Sequence, residues 1–273
     1  SKYRNSYTVD QFQGIHVTRC PLWVPRNPTG ITRLLHLASF ALSSLGPLLA
    51  LRRCSPDVVI IVAPSFFCAP GALLLGQLCG RGTITWLHIQ DFELDAAFEL
   101  GMLKGRWLRR LAESWERRIL QSFQRVSSIS FAMVQRLEMK GVASSQCELL
   151  PNWVDLDSIR PQQDPSLLQN PYRQELGIGT DQVVLMYSGS MNKKQGLELL
   201  VEVIRQLADL PQVVWLLAGE GPTKADLVRA TEVFSQVIHL PLQPAERMND
   251  WLNAADIHLL PQKFKDPPSH RFS

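Results

Sequence analysis

The chain has 273 residues, of which 45% are hydrophobic and 19% are charged, and its formal net charge is +3. This composition is typical of a globular protein with room for about two domains of ordinary size. The charge is too small to indicate nucleic-acid binding, and no RNA- or DNA-binding signature is present. We therefore expect no nucleic acid among the partners.

The cysteines and histidines give no indication of a metal site. The five cysteines are an odd number without a CxxC pair or metal-ligand spacing, and the six histidines are scattered without HExxH. This pattern predicts reduced, mostly buried thiols in a cytosolic protein without a bound metal. The first residues have neither the charged start nor the apolar core of a signal peptide, so we expect a cytoplasmic location.

The segment Leu34–Leu51 is apolar enough to raise the question of a membrane span. Its interior contains His36, Gly46, Pro47 and three serines, and a predicted strand follows at once. We therefore predict a buried or interfacial helix at this position.

In the first half of the chain, apolar runs alternate with helical patterns, while residues 1–13 have no clear periodicity. The predicted strands are Gly14–Arg19, Asp57–Ala63, Gly82–His88 and Arg125–Ser130. The predicted helices are Ile31–Arg53, a helix that follows a turn at Pro64-Ser65 and ends near Cys79, Leu103–Phe123 and Ala132–Lys140. A polar segment, Asn152–Asn170, is typical of a linker.

The second half is organised around Val183–Leu200, which reads as a buried strand, a glycine turn, a cationic loop and a helix. Val213–Ala218 and the turn Gly219–Pro222 repeat this order. Amides at a helix start favour anions, so two such turns at neighbouring strand ends predict a crevice for a phosphate-bearing ligand. The other predicted elements are helices Pro171–Leu176, Gly196–Leu207, Thr223–Phe234 and Ala245–Ala254, and strands Val237–Leu240 and Asp256–Leu260.

Strands that alternate with helices predict parallel sheets, one in each domain. A doubly wound domain usually begins with a strand and a glycine turn, which residues 1–13 do not offer. The tail Lys263–Ser273 follows a predicted strand without a covering helix. From both ends we expect the chain to be a fragment.

Together these stretches resemble the retaining glycosyltransferases of family 4, most closely the colanic-acid biosynthesis type known as WcaI/WbuB. The resemblance rests on CPLWVPRNPTGITRLLHLASFALSS, WLHIQDFELDAAFELG, LLPNWVDLDSI, YSGSMNKKQGLELL, LLAGEGP and LNAADIHLLPQ. It implies the α/β GT-B fold, in which two Rossmann-like doubly wound domains face a cleft, both incomplete here. The implied boundaries are an N-terminal domain over residues 1–155, a linker over 156–178 and a C-terminal donor domain over 179–273.

The resemblance also implies a donor site on the two glycine turns. Gly189 and Gly196 match the glycines of the family's donor-phosphate loop, whereas Ser190 stands at its arginine position and Gln195 at its lysine position. Neutralisation of the phosphate would then fall to Lys194, with Lys193 beside it. The second turn supplies the remaining donor residues, Gly219, Glu220, Gly221 and Pro222.

On the other domain, the resemblance implies that His88 faces the transferred sugar as the catalytic histidine. Asn152 and Asp155 match a segment that enters the interdomain junction. Asp91 and Asp95 follow His88 closely and are possible acceptor-side carboxylates, with a solvated loop and a helix cap as the alternative. The family's paired glutamates should lie beyond Ser273.

The function implied is retaining transfer of a sugar from a nucleotide-sugar to a lipid-linked saccharide, in exopolysaccharide or O-antigen biosynthesis, without a metal or other cofactor. Five arginines and Trp107 and Trp115 on the helix Leu103–Phe123 fit peripheral contact with the inner face of the cytoplasmic membrane, although an ordinary solvated face is the preferred explanation from the sequence. The alternative function is an inert fragment or a nucleotide- or lipid-binding module. A nicotinamide oxidoreductase is disfavoured because Ser188–Gly196 does not give GxGxxG.

Overall fold

The structure is a computed structural model that describes residues 6–25, 30–63, 66–80, 82–92, 94–95, 98, 105–162 and 170–261. It divides into two compact units, Ser1–Trp153 and Val154–Ser273, and each contains a four-stranded parallel sheet. The predicted turn at Pro64-Ser65, the start of the helix at Leu103 and the tail Lys263–Ser273 lie outside the described residues.

The first unit is built on four parallel strands in the order β3-β4-β5-β6. They are β3 (Val58–Ala63), β4 (Ile84–Ile89), β5 (Arg125–Ser128) and β6 (Cys147–Leu149). The helices of this unit are α1 (Gly30–Ala50), α2 (Ala69–Cys79), α3 (Arg106–Ser122) and α4 (Phe131–Met139). Leu87 and Val126 from the sheet pack with Leu75, Leu120 and Leu137 from the helices, so the core lies on the helical side of the sheet.

One strand of this unit contradicts the prediction made from the sequence. Residues 1–13 were expected to lack a strand, yet β1 (Thr8–Phe12) pairs antiparallel with β2 (Ile15–Arg19). Gln13 and Gly14 connect them, both with positive φ, as a two-residue hairpin turn requires. The strand was missed because most of its side chains are exposed and therefore show no apolar alternation.

The apolar segment near the start forms α1 and a following 3-10 turn, Leu51–Cys54. Its 21 residues from Leu34 to Cys54, with a mean hydropathy of 1.7, are long and apolar enough to cross a membrane, and none of the window is buried. Of the two predicted alternatives, the buried helix is therefore wrong, because α1 covers the outside of the unit, and the interfacial helix stays a prediction. Its polar side faces the preceding segment, where Tyr7 Oη donates to Ser43 O and the Trp23 amide donates to Ser39 Oγ.

The second unit has the strand order β10-β7-β8-β9, again all parallel. The strands are β7 (Val183–Ser188), β8 (Val213–Ala218), β9 (Val237–Leu240) and β10 (Ile257–His258). The helices are α5 (Pro171–Glu175), α6 (Glu198–Gln206), α7 (Lys224–Thr231) and α8 (Met248–Asn253). All six residues of β8 are buried, and apolar clusters cover both faces of the sheet, which makes this the more complete of the two cores.

Several described residues of the segment predicted as a linker bond within the second unit. The Arg160 amide donates to Asn249 Oδ1 at 2.8 Å, and Asn253 Nδ2 donates to Arg160 O at 2.8 Å.

In α5, the buried Arg173 donates to Asp256 Oδ2 at 2.6 Å and to Ala254 O at 3.0 Å. This guanidinium therefore ties α5 to the segment that enters β10.

Candidate functional site

His88 lies at the carboxyl end of the sheet in the first unit. It is the penultimate residue of β4, in register with Ser127 of β5, and is only 6% exposed. Its Nδ1 atom lies 2.8 Å from Ser127 Oγ. Burial lowers the pKa of His88, so the imidazole is neutral at pH 7. The strand was predicted to end at His88, and β4 ends one residue later, at Ile89.

Two amide side chains meet at the same edge of the sheet. Gln90 follows β4, Asn152 follows β6, and Gln90 Nε2 donates to Asn152 Oδ1 at 3.3 Å. Sequence reasoning had selected Asn152 but missed Gln90, which no motif marks. Parallel sheets bind ligands beyond the carboxyl ends of their strands, so His88, Gln90 and Asn152 form one candidate surface.

Asp155 begins the second unit and caps the turn that follows it. Its carboxylate accepts from the Ser158 hydroxyl at 2.6 Å and from the Asp157 amide at 2.9 Å. The bond from the Ser158 side chain and the backbone bonds lower the pKa of Asp155. The carboxylate is thus engaged in local turn geometry.

The two aspartates after His88 have different environments. Asp91 is exposed at the end of β4. Asp95 is half-buried, with its Oδ2 3.0 Å from Lys140 Nζ and 2.8 Å from an Arg136 guanidinium nitrogen. Asp95 is thus part of an ion-pair cluster with Lys140 and Arg136.

Glu116 and Trp115 of α3 are structural residues. Glu116 is buried and pairs with Lys140, and burial raises its pKa. Trp115 packs edge-on against Phe66, with ring centroids 5.2 Å apart. Trp115 therefore does not belong to the exposed basic face on which the sequence had placed it, whereas Trp107 is 75% exposed.

In the second unit, the first glycine turn follows β7 directly. Trp251 Nε1 donates to Ser188 Oγ at 3.0 Å, and Tyr187 Oη donates to Ser190 O at 2.7 Å. These two bonds hold the turn from the core side and leave Ser190 exposed. After the turn, Lys193–Gln195 form a short 3-10 helix, so α6 starts at Glu198, two residues later than predicted.

The two glycine turns bond to each other through their backbones. The Gly189 amide donates to Ala218 O at 3.0 Å, the Met191 amide to Glu220 O at 2.9 Å and the Thr223 amide to Met191 O at 3.1 Å. A Cβ atom on Gly219 would lie 1.9 Å from Gly189 O, and one on Gly221 would lie 2.1 Å from Met191 O. The close backbone contacts are therefore sufficient to explain why both residues of the second turn are glycines.

Gly189 differs from these two glycines. A Cβ atom there would meet nothing closer than Tyr187 Oη, at 3.4 Å. The fold therefore tolerates a side chain at this position, unlike at Gly219 and Gly221. The Gly189 amide itself is already used in the contact between the turns, so it is not free to bind an anion.

The charged residues of the predicted donor site fall into two groups. Lys193 is exposed and has no ion-pair partner among the described residues, so it is free to meet an anion. The backbone of Lys194 lies in the 3-10 helix, but its side chain is outside the described part. Glu220 pairs with Lys224 Nζ at 2.6 Å, and Pro222 is exposed beside it.

An open groove of about 570 Å³ lies next to the first turn, between α6 and α7. Its floor is apolar and its rim is charged. The lining residues are Asn192, Lys193, Leu197, Glu198, Val201, Arg205, Thr223, Asp226, Leu227 and Ala230. Lys193, which follows the first turn, is thus one of the residues that line the groove.

The two Rossmann-like sheets place the chain among proteins of the GT-B fold class. A sucrose-phosphate synthase from Thermosynechococcus elongatus aligns over 98% of this chain and 65% of its own, with a TM-score of 0.68 and 15% identity. HepE from Anabaena, in complex with UDP, aligns over 83% and 60%, with a TM-score of 0.58 and 17% identity. At these identities the likeness concerns the fold alone.

Residues 3–153 match the glycosyl transferase 4-like domain, and residues 169–266 match glycosyl transferases group 1. The chain belongs to the glycosyl transferase 4-like family, and the predicted resemblance is confirmed. A putative colanic acid biosynthesis glycosyl transferase of Escherichia coli, WcaI, is 38% identical over 252 residues, which are 90% of this chain and 61% of WcaI. A putative teichuronic acid biosynthesis glycosyltransferase of Bacillus subtilis, TuaC, is 26% identical over 52% of this chain and 35% of its own. The chain thus spans less than two thirds of these relatives.

Proposed function

We propose that this protein transfers a sugar from a nucleotide-sugar donor to a saccharide acceptor. The proposal rests on the first glycine turn, which has an exposed Ser190 and a Gly189 that packing does not require, and on Lys193 after it, which has no ion-pair partner in the described part of the chain. A diphosphate placed at this turn would meet a cation at the carboxyl edge of a parallel sheet. Membership of the glycosyl transferase 4-like family and the UDP complex of HepE support a nucleotide-sugar as the ligand.

The chemistry follows from the charge that develops on the departing nucleoside diphosphate. Lys193, with Lys194 beside it in sequence, stabilises this charge more strongly in the transition state than in the ground state, and such a difference accelerates transfer. No group of three histidine, cysteine, aspartate or glutamate side chains among the described residues could hold a metal ion. We assign neutralisation of the phosphate to Lys193 and Lys194.

The finer features of the function come from the resemblance to family 4. We propose retention of the anomeric configuration, a lipid-linked saccharide as the acceptor, and a cytoplasmic protein that contacts the inner face of the membrane. We propose a role in exopolysaccharide or O-antigen biosynthesis, and the likeness to WcaI supports the former. His88 contributes a neutral imidazole that hydrogen-bonds a sugar hydroxyl.

The donor proposal predicts selective stabilisation by one nucleoside diphosphate. A ligand at about a hundred times its dissociation constant adds roughly 2.7 kcal/mol of stability, which a thermal melt detects. We expect one of UDP, GDP or ADP at millimolar concentration to raise the Tm, and NAD to leave it unchanged. Lys193→Glu should remove most of this shift, whereas Arg229→Glu, with the same change of charge on an exposed face of α7, should not.

Two other results would contradict the donor proposal. A cooperative melt without a shift by any of the three nucleotides would favour the inert-fragment alternative. An equal shift in the Lys193→Glu variant would place the nucleotide elsewhere. The second alternative, a binding module without catalysis, would also show a rise in Tm with a nucleoside diphosphate. Such a module would release no free nucleoside diphosphate from the nucleotide-sugar.

The membrane proposal is supported by the exposed part of α3. Trp107 is 75% exposed and Leu111 is 53% exposed, and both share the first turns of the helix with exposed arginines at 106, 109 and 110. Arg109 is paired with Glu113 at 2.7 Å, which leaves Arg106 and Arg110 as the principal cations of this surface. Apolar side chains flanked by cations are typical of a surface that contacts anionic lipid.

This surface predicts binding to anionic vesicles. Each cation near an anionic bilayer contributes on the order of 1 kcal/mol, so Arg106→Glu/Arg110→Glu should weaken binding to phosphatidylglycerol vesicles roughly thirty-fold or more. Co-sedimentation with vesicles measures this change. The control is Arg205→Glu/Arg229→Glu, which alters the net charge equally in the second unit. Equal losses in both double variants would show a general charge effect and contradict a specific surface on α3.

A further inference from the structure

A buried hydroxyl links His88 to a neighbouring tryptophan. Ser127 is fully buried on β5, and its Oγ atom lies 2.8 Å from His88 Nδ1 and 2.8 Å from Trp86 Nε1. Trp86 and His88 are two residues apart on β4, so their side chains point to the same face of the sheet. Both therefore converge on one oxygen atom from the adjacent strand.

Counting donors and acceptors fixes the direction of these bonds. The indole Nε1–H is only a donor, so it occupies one lone pair of Ser127 Oγ. The hydroxyl proton then needs an acceptor, and His88 Nδ1 is the remaining partner of this oxygen among the described residues. If Nδ1 carried the proton instead, the hydroxyl hydrogen of a fully buried serine would have no acceptor, which is unfavourable.

We propose that Ser127, oriented by Trp86, is a positioning residue that fixes His88 in the tautomer with its proton on Nε2. The hydroxyl donates to Nδ1, and Nε2–H becomes a permanent hydrogen-bond donor. Nε2 has no protein partner within the described ranges, so it is available to a ligand. The lowered pKa of His88 agrees with this arrangement, because a neutral imidazole with an acceptor at Nδ1 is what the hydroxyl requires.

The fixed tautomer specifies what His88 can recognise. A neutral Nε2–H donates to an oxygen lone pair and cannot accept a proton at that atom. In the proposed transferase, His88 would therefore hold a sugar hydroxyl or ring oxygen as an acceptor, and would not act there as a general base. This last step rests on the proposed function, whereas the tautomer itself does not.

The tautomer can be measured directly on this chain, without an assay of activity. Long-range proton–nitrogen correlation spectra of the protein labelled with nitrogen-15 histidine distinguish the two tautomers at pH 7.5. We expect the Nε2–H form of His88 in an excess of about tenfold or more, since the other form leaves a buried donor unpaired. The Nδ1 resonance should also show the displacement that accompanies an accepted hydrogen bond.

Three variants test the roles of the neighbours. In Ser127→Ala, Nδ1 should move to the position of an unbonded nitrogen and the minor tautomer should increase. In Trp86→Phe, the serine oxygen loses a donor but the hydroxyl still has only Nδ1 as its acceptor among the described residues, so the Nε2–H tautomer should remain in excess. The matched control is Ser128→Ala, which removes an equally buried hydroxyl that donates to Ile89 O, at 2.7 Å, and not to His88. Its His88 signals should match those of the wild type.

Two outcomes would overturn the proposal: a proton on Nδ1 in the wild type, or His88 signals in Ser127→Ala that match those of Ser128→Ala. The proposed function fails separately. If the tautomer is as expected but His88→Ala transfers sugar at the wild-type rate in the full-length protein, the hydrogen-bond chain is correct and the role in transfer is wrong.

Discussion

Replacing Gly221 by alanine is expected to destabilise the second unit by about 3 kcal/mol or more, because the new methyl group would lie 2.1 Å from Met191 O. Gly219→Ala should have a similar effect, since its Cβ would lie 1.9 Å from Gly189 O. The obstacle in both cases is backbone, which cannot rotate away as a side chain can. Differential scanning calorimetry should show a Tm lower by roughly 10 °C for a unit of this size.

Gly189→Ala is the matched control within the same pair of turns. Its nearest neighbour would be Tyr187 Oη at 3.4 Å, so we expect a Tm close to that of the wild type. The same variant should lose the stabilisation by a nucleoside diphosphate, because a methyl group would occupy the space that the phosphate needs. A large loss of stability in Gly189→Ala, or none in Gly221→Ala, would contradict this account of the glycines. In that account, Gly221 is needed for packing and Gly189 for the approach of a ligand.

Arg173→Met is expected to destabilise the second unit by about 3 kcal/mol. The substitution preserves most of the apolar length of the side chain but removes the donors to Asp256, Ala254 O and Gln182 O. Within the described part of the chain, Asp256 Oδ2 would retain the Val184 amide alone, at 2.7 Å, and the two carbonyls would lose this donor. Chemical denaturation that follows the unfolding of this unit measures the loss.

The control for Arg173 is Arg229→Met, on an exposed part of α7. Arg229 pairs with Asp226 at the surface, and such pairs contribute about 0–1 kcal/mol. A change in Arg173→Met no larger than that in Arg229→Met would show that the buried guanidinium is replaceable and that α5 is held by its apolar contacts.

The strands of the second unit could be predicted well from the sequence, because local apolar runs and turns mark them. The bounds of β8 and β9 were predicted correctly, since each is an apolar run ended by a turn or a proline. The predicted β10 was too long, because Asp256 pairs with Arg173 and only Ile257–His258 join the sheet. The hairpin strand β1 gave no apolar alternation, so periodicity could not reveal it.

The candidate site could be predicted only in part. The strand end at His88 and the exposed Lys193 follow from local sequence. The bonds of His88 to Ser127 and of Gln90 to Asn152 depend on strand register across 39 and 62 residues, which no local pattern contains. The same limit applies to the two glycine turns, because the sequence shows two glycine motifs but not the backbone contact that makes one of them structural.

The most direct test of the donor site is a titration of this chain, labelled with nitrogen-15, with the nucleoside diphosphate that raises its Tm. Amide signals of the chain report the ligand residue by residue. We expect the first and largest signal changes at the amides of Ser190 and Lys193. These changes should vanish in Gly189→Ala while that variant remains folded. Changes confined to other parts of the second unit, or changes that persist in Gly189→Ala, would contradict the placement of the donor phosphate on the first glycine turn.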